Sequence, residues 1–180
     1  MKIHCATSNP GKLREFRCFA PDFEIVPISL PAPEETGRTF EENALVKARY
    51  YGAHVDGYLF ADDSGIEVDA LGGRPGVDSA RFDNEWLLEQ LRGVENRTAR
   101  FVCVIALVLH GEPKGLFYGT VDGHVTEEPR GSNGFGYDPV FFCEPFGCTF
   151  GEAEPDAKMR ISHRALALDA MFTFLRNAST

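Results

Sequence analysis

Apolar and polar positions change period several times along the chain, and each change marks an element. Residues 2–7, KIHCAT, form a short β-like run that ends in small and polar residues. A helix is predicted over 11–19, after the turn chemistry of Asn9-Pro10-Gly11, and a strand over 23–28. The loop PAPEETGRT leads to a helix from about 40 to 54, where Phe40, Ala44, Lys47, Ala48 and Tyr51 recur at helical spacing. Thr39, followed three residues later by Glu42, makes a capping box at its start.

YLFADDSG reads as a strand ending in acids, with Ser64-Gly65 as a turn, and IEVDAL as a second short strand. EWLLEQLRG is an amphipathic helix closed by Gly93. RTARFVCVIALVLHG, PKGLFYGTVDGHV and DPVFF are strand-like, with Gly-rich turns between them, and a last helix spans roughly 162–177. Strands and helices alternate early and a strand meander follows, which predicts an α/β fold with a mixed β-sheet flanked by helices. No repeat, low-complexity tract or linker divides the chain, so one domain is expected over 1–180.

Composition narrows the function. The hydrophobic fraction of 43% and charged fraction of 25% are ordinary for a soluble globular chain of 180 residues. The longest apolar run, FVCVIALVL, has strand length, which argues against a membrane span. The N-terminus lacks the apolar stretch of a secretory signal, and a cytoplasmic location is expected. Five cysteines without CxxC spacing suggest neither a disulfide framework nor a zinc site. With a net charge of −9 and dispersed lysines and arginines, nucleic acid is not the expected partner. A small anion bound by a few local cations and a divalent metal remains compatible with that charge.

Four stretches can carry chemistry, and each has a plainer alternative. TSNPGK places Thr7, Ser8, Asn9, Pro10, Gly11 and Lys12 at a strand-to-helix corner. Such a corner can hold an anion against helix N-terminal amides and a lysine, or it can simply be a good turn. Asp62 and Asp63 close a strand, where clustered carboxylates bind Mg²⁺ and activate water. Neighbours on a strand face opposite ways, so the two serve one pocket only if the chain turns at Ser64-Gly65. The plainer reading is an Asp-Ser-Gly turn. In RGSNGFGYDP, aromatic rings flanked by glycines can approach a flat ligand, with Asp138 accepting from a ring N–H, or they can be hairpin core. KMRISHR sets Lys158, Arg160, His163 and Arg164 at a helix start, where the macrodipole opposes cations unless anions answer them. A solvated basic turn is the alternative there. No P-loop, dinucleotide GxGxxG or GxSxG elbow is present.

Taken together, TSNPGK (7–12), EETGRTFEENALVKAR (34–49), ADDSGIEVDALGGRPGVDSARF (61–82), GFGYDPVF (134–141) and KMRISHR (158–164) resemble the inosine triphosphate pyrophosphatase family. These house-cleaning enzymes remove non-standard purine nucleotides. The five segments run in the family's order over nearly the whole chain. The resemblance implies Mg²⁺-dependent hydrolysis of ITP, dITP and XTP to the monophosphate and pyrophosphate. It also implies a homodimer and two lobes with a nucleotide cleft between them. By motif, Thr7, Ser8, Asn9, Pro10, Gly11 and Lys12 would hold the triphosphate. Asp63 would activate water, and Asp62 with Glu34 or Glu35 would join it in holding metal. Ser64 would contact substrate, and Phe135, Gly136, Tyr137, Asp138, Lys158, His163 and Arg164 would embrace base and sugar.

Two departures from the family's pattern stand out. Only DNE separates SARF from WLLEQL, where a longer connection is usual, which bears on dimer contacts and the cleft rim. Asp78 follows GV where an aromatic is usual. The rival readings are a pyrophosphatase for other modified nucleotides and a nucleotide sensor without turnover. The carboxylates at 62 and 63 disfavour the sensor.

Overall fold

A computed structural model describes residues 1–178. Chain order is β1 (Lys2–Cys5), α1 (Pro10–Phe19), β2 (Glu24–Pro27), α2 (Phe40–Gly52), β3 (Tyr58–Val68), α3 (Asn84–Gln90), β4 (Thr98–Leu109), β5 (Glu112–Val125), β6 (Phe141–Cys143), β7 (Cys148–Thr149), α4 (Pro155–Ile161) and α5 (His163–Ala178). The strands form one sheet in the order β2-β1-β3-β4-β5-β6-β7. β1 pairs parallel with β2 and β3, while β5-β6 and β6-β7 are antiparallel, so the sheet is mixed as expected. No helix of the described residues is long and apolar enough to cross a membrane.

The chain divides into two compact units, the first Met1–Asp63, Cys103–Gly119 and Arg164 onward, the second Ser64–Val102 and Thr120–His163. Each has its own apolar core. In the first, Ile3, Cys5, Phe60, Cys103, Ile105 and Leu107 pack against Phe16 of α1 and Leu168, Met171 and Phe172 of α5. The Phe16 and Phe60 rings meet edge to face at 5.0 Å. The other sheet face receives α2, where a Cβ on Gly52 would lie 2.6 Å from Val108. Burial on both faces explains why FVCVIALVL reads as an unbroken apolar run. In the second unit, Ile66, Leu87, Phe101, Val140, Phe141 and Phe150 form the core.

Local signals place the helix starts. Asn9 caps α1, its Oδ1 accepting from the N–H groups of Gly11 and Lys12 at 2.8 and 3.2 Å. Thr39 caps α2 by accepting from Glu42 N–H, while Glu42 reaches back to the N–H of Arg38 rather than Thr39.

Three expectations need correction. The turn at Ser64-Gly65 does not exist, because β3 runs unbroken through it. Gly65 serves close packing instead: a Cβ there would lie 2.3 Å from Ser79 Oγ and 2.4 Å from the Gly76 carbonyl. In DPVFF, Asp138–Val140 is a 3-10 turn and only Phe141 and Phe142 belong to β6. The helix expected over 162–177 is present as α5, but KMRISHR as a whole does not sit at its start, because a separate α4 ends within that stretch and the extended Ser162 (φ −65°, ψ 155°) parts the two. Lys158 and Arg160 lie in the last turn of α4, where the macrodipole favours cations.

Phe16 is the apolar anchor of α1 within the first core. Phe16→Ala should lower unfolding stability by about 3–5 kcal/mol, the usual cost of emptying a buried aromatic position. Urea denaturation checks this, and a loss under about 1 kcal/mol would mean that α1 is held by other contacts.

Candidate active site

Asp62 and Asp63 are buried neighbours on β3, and their partners come from different helices. Asp62 Oδ2 lies 2.8 Å from Lys12 Nζ in the first turn of α1 and 3.5 Å from Arg164 Nε on α5. Arg164 also donates from Nη1 to Glu15 Oε2 at 2.6 Å, and its side chain is only 2% exposed. Asp63 turns toward α2. Its Oδ1 is 3.2 Å from Lys47 Nζ, and its Oδ2 accepts from Asn43 Nδ2 at 3.2 Å. Lys47 simultaneously reaches Glu35 Oε2 at 3.1 Å. This is the alternation that an unbroken strand imposes, one carboxylate to each face.

The two carboxylates are tuned in opposite directions. Burial alone would raise Asp62, but Lys12, Arg164 and Lys47 outweigh it and hold the carboxyl at about 2. For Asp63 burial wins over Lys47, Asn43 and Lys12, and the carboxyl rises above its ordinary value. Burial would lower Lys47, yet Asp63, Asp62 and Glu35 together hold it above the ordinary lysine value. One acid is therefore locked ionised, and the next has raised proton affinity, as a proton acceptor needs.

The residues expected around this pair are placed as follows. Thr7 accepts from Asn9 N–H at 3.1 Å, Ser8 is exposed, and Pro10 opens α1. The Gly11 and Lys12 amides are already bonded to Asn9, so the corner presents an ammonium more than bare amides. Glu35 joins the cluster through Lys47, whereas Glu34 is exposed and enters no ion pair among the described residues. Lys47, Asn43 and Glu15 were not singled out from sequence. Lys47 and Asn43 stand four residues apart on α2 and therefore share a face, which was the available signal.

The second unit holds its own group. Asp138 Oδ2 accepts from Phe135 N–H at 2.8 Å and from Lys158 Nζ at 2.6 Å, with both side chains buried. Lys158 Nζ also sits 5.1 Å from the Phe135 ring centre and 5.6 Å from that of Phe150. The Tyr137 hydroxyl lies 2.8 Å from the carbonyl oxygens of Ser79 and Phe82, tying the glycine-rich loop to that segment. Gly136 is exposed, and its carbonyl accepts from Asn84 Nδ2 at 3.1 Å. His163 stacks on Phe101 at 4.6 Å between ring centres, and Ser64 is half-buried on β3.

A profile of the Ham1 family matches residues 3–174. The chain is 44% identical to a dITP/XTP pyrophosphatase of Bacillus licheniformis over 98% of its own length and 99% of that protein. It is 42% identical to the dITP/XTP pyrophosphatase of Bacillus subtilis over 94% of each chain. Among solved structures, the Staphylococcus aureus Ham1 protein superposes with a TM-score of 0.87 at 36% identity, covering 99% of this chain and 100% of that one. A HAM1 protein from Coxiella burnetii gives 0.88 at 37% identity, covering 98% and 99%.

The depressed Asp62 carboxyl sets a pH signature. Its folded pKa of about 2 lies below the ordinary 3.8, so its contribution is complete above pH 4 and is lost as pH falls through 2. In metal-free buffer, the stability gap between the wild type and Asp62→Asn should narrow by about 2 kcal/mol from pH 5 to pH 2. A gap that stays constant in denaturation across that range would contradict the ion-pair assignment.

Proposed function

The chain belongs to the Ham1 family, and on that premise we propose that it is a nucleoside-triphosphate pyrophosphatase acting on dITP, XTP and ITP. The products are the nucleoside monophosphate and pyrophosphate. The observation that carries this reading is Asp63, buried with a raised carboxyl between Lys47 and Asn43.

Hydrolysis needs a water in line with the α-phosphorus while pyrophosphate leaves. Asp63 orients that water and takes its proton. Lys12 and Lys47 meet the growing charge on phosphate oxygens; an ammonium has three donors, and Asp62 accounts for one on Lys12. Asp62, kept ionised, holds Lys12 in place.

Among the described residues no three His, Cys, Asp or Glu side chains gather as a metal cage. Mg²⁺ nevertheless fits this donor set, because it usually takes one or two carboxylates and completes its shell with phosphate oxygens and water. Asp63 and Glu35, which already share the Lys47 ammonium, would hold it. Asp62 faces the other side of the unbroken β3 and pairs with Lys12 and Arg164, so it is left out of that set. When bound, the ion screens phosphate charge and makes the attacking water more acidic.

Base recognition we assign to hydrogen-bond polarity. Hypoxanthine and xanthine carry a carbonyl at position 6 and an N1–H, whereas adenine carries an amino group and a bare N1. A site that donates to the carbonyl meets adenine donor against donor, and each buried mismatch costs about 1–3 kcal/mol. Phe135, Lys158 and His163 are the second unit's candidates for holding the base, while the Arg164 guanidinium already serves Glu15 and Asp62. We place the activity in the cytoplasm, with the free nucleotide pool, and take the working form to be a homodimer.

With Mg²⁺ and a nucleotide panel, kcat/KM for ITP and XTP should exceed that for ATP by about 10² or more. Comparable values for ATP and ITP would overturn the substrate assignment. Asp63→Asn should cut turnover by roughly 10²-fold or more while nucleotide affinity changes far less. A variant retaining more than half of wild-type activity would remove Asp63 from the mechanism.

A further inference from the structure

Asn43 stands one turn before Lys47 on α2 and is 2% exposed. Its amide is used at both ends. Oδ1 accepts from the Gly37 N–H at 2.8 Å, and Nδ2 donates to Asp63 Oδ2 at 3.2 Å. The Gly37 bond settles which way round the amide sits, since a backbone N–H requires the oxygen. The end that faces Asp63 is then a donor. The other oxygen of Asp63 is 3.2 Å from Lys47 Nζ. Each carboxylate oxygen thus has its own partner on α2, and the group cannot rotate without losing one.

The loop before α2 is fitted to this link. A Cβ on Gly37 would lie 2.5 Å from Asn43 Oδ1, so a side chain at that position would break the approach. The same loop carries Glu35, which shares Lys47 with Asp63. A buried leucine would fill the volume of Asn43 but make neither bond. The paired hydrogen bonds are what the carboxamide adds.

The geometry points to Asn43 as a positioning residue of the reaction: it holds the Asp63 carboxylate in one orientation and registers the Glu35–Gly37 segment against it. This rests on the reading of Asp63 as the group that activates water. Asn43 works through Asp63, so its removal costs turnover and leaves nucleotide binding nearly intact.

The test is a double-mutant cycle with ITP and Mg²⁺. Asn43→Ala and Asn43→Leu are each made in the wild-type and the Asp63→Asn backgrounds, with KM and kcat measured separately. In the wild-type background kcat should fall roughly 10–100-fold, the range for removing a partner that orients a functional carboxylate. KM should stay within about twofold, and in the Asp63→Asn background the further fall in kcat should be under about twofold, because nothing remains to position. Gly37→Ala, which displaces Asn43 from the loop side, should show the same split even if the Asn43 variants fold poorly. Equal falls in both backgrounds, or a kcat close to wild type, would overturn the proposal while leaving Asp63 in its role. An Asp63→Asn enzyme that remains active would remove both readings.

Discussion

Two adjacent carboxylates in the middle of a buried strand cannot stay ionised without cations, and meeting that requirement organises the first unit. An uncompensated buried carboxylate would cost several kcal/mol. Because β3 is continuous, Asp62 and Asp63 must find their cations on opposite faces of the sheet. Lys12 of α1 and Arg164 of α5 answer Asp62, and Lys47 of α2 answers Asp63. Three helices are thereby registered on one dipeptide, and the apolar core formed by Phe16, Phe60 and Phe172 holds two of them at the right height. Breaking any single pair would leave its partner charge buried, so the cluster specifies geometry more than it adds stability.

On the proposed function, the same charges would let an acidic protein receive a polyanion. The net charge of −9 opposes approach at long range, but salt screens that field within about 10 Å. At short range the nucleotide would meet ammonium groups held by carboxylates. Its phosphates would then compete with Asp62, Asp63 and Glu35 for the same cations, so binding would redistribute those pairs. A divalent ion at the carboxylates would relieve that competition. On this account the metal and the lysines are complementary parts of one charge balance.

Much of this was legible along the chain, for local reasons. Asn9 and Thr39 mark helix starts because capping is a property of a few consecutive residues. The length and β-branched content of residues 101–109 identify a strand buried on both faces. Ser64-Gly65 misled because glycine marks both turns and close packing, and the deciding atoms, on Gly76 and Ser79, are distant in sequence. The basic residues of KMRISHR looked misplaced at a helix start because the break at Ser162 leaves no strong local signal. In the site, Asp62, Asp63 and Lys12 stood out by residue type and spacing. Asn43 and Lys47 read as ordinary helix positions, since their roles arise only when α2 packs on β3. Arg164 was read as a base contact, and its Nη1 bond to Glu15, fifteen residues from the N-terminus, has no local signal in the sequence.

The central claim is that water, oriented by Asp63, attacks the α-phosphorus and expels pyrophosphate. Carrying out ITP turnover in ¹⁸O-labelled water and resolving the products by mass spectrometry tests it most directly. The account predicts one ¹⁸O atom in the monophosphate and none in the pyrophosphate. Label in the pyrophosphate, or release of labelled orthophosphate with a nucleoside diphosphate, would place the attack at another phosphorus and contradict it.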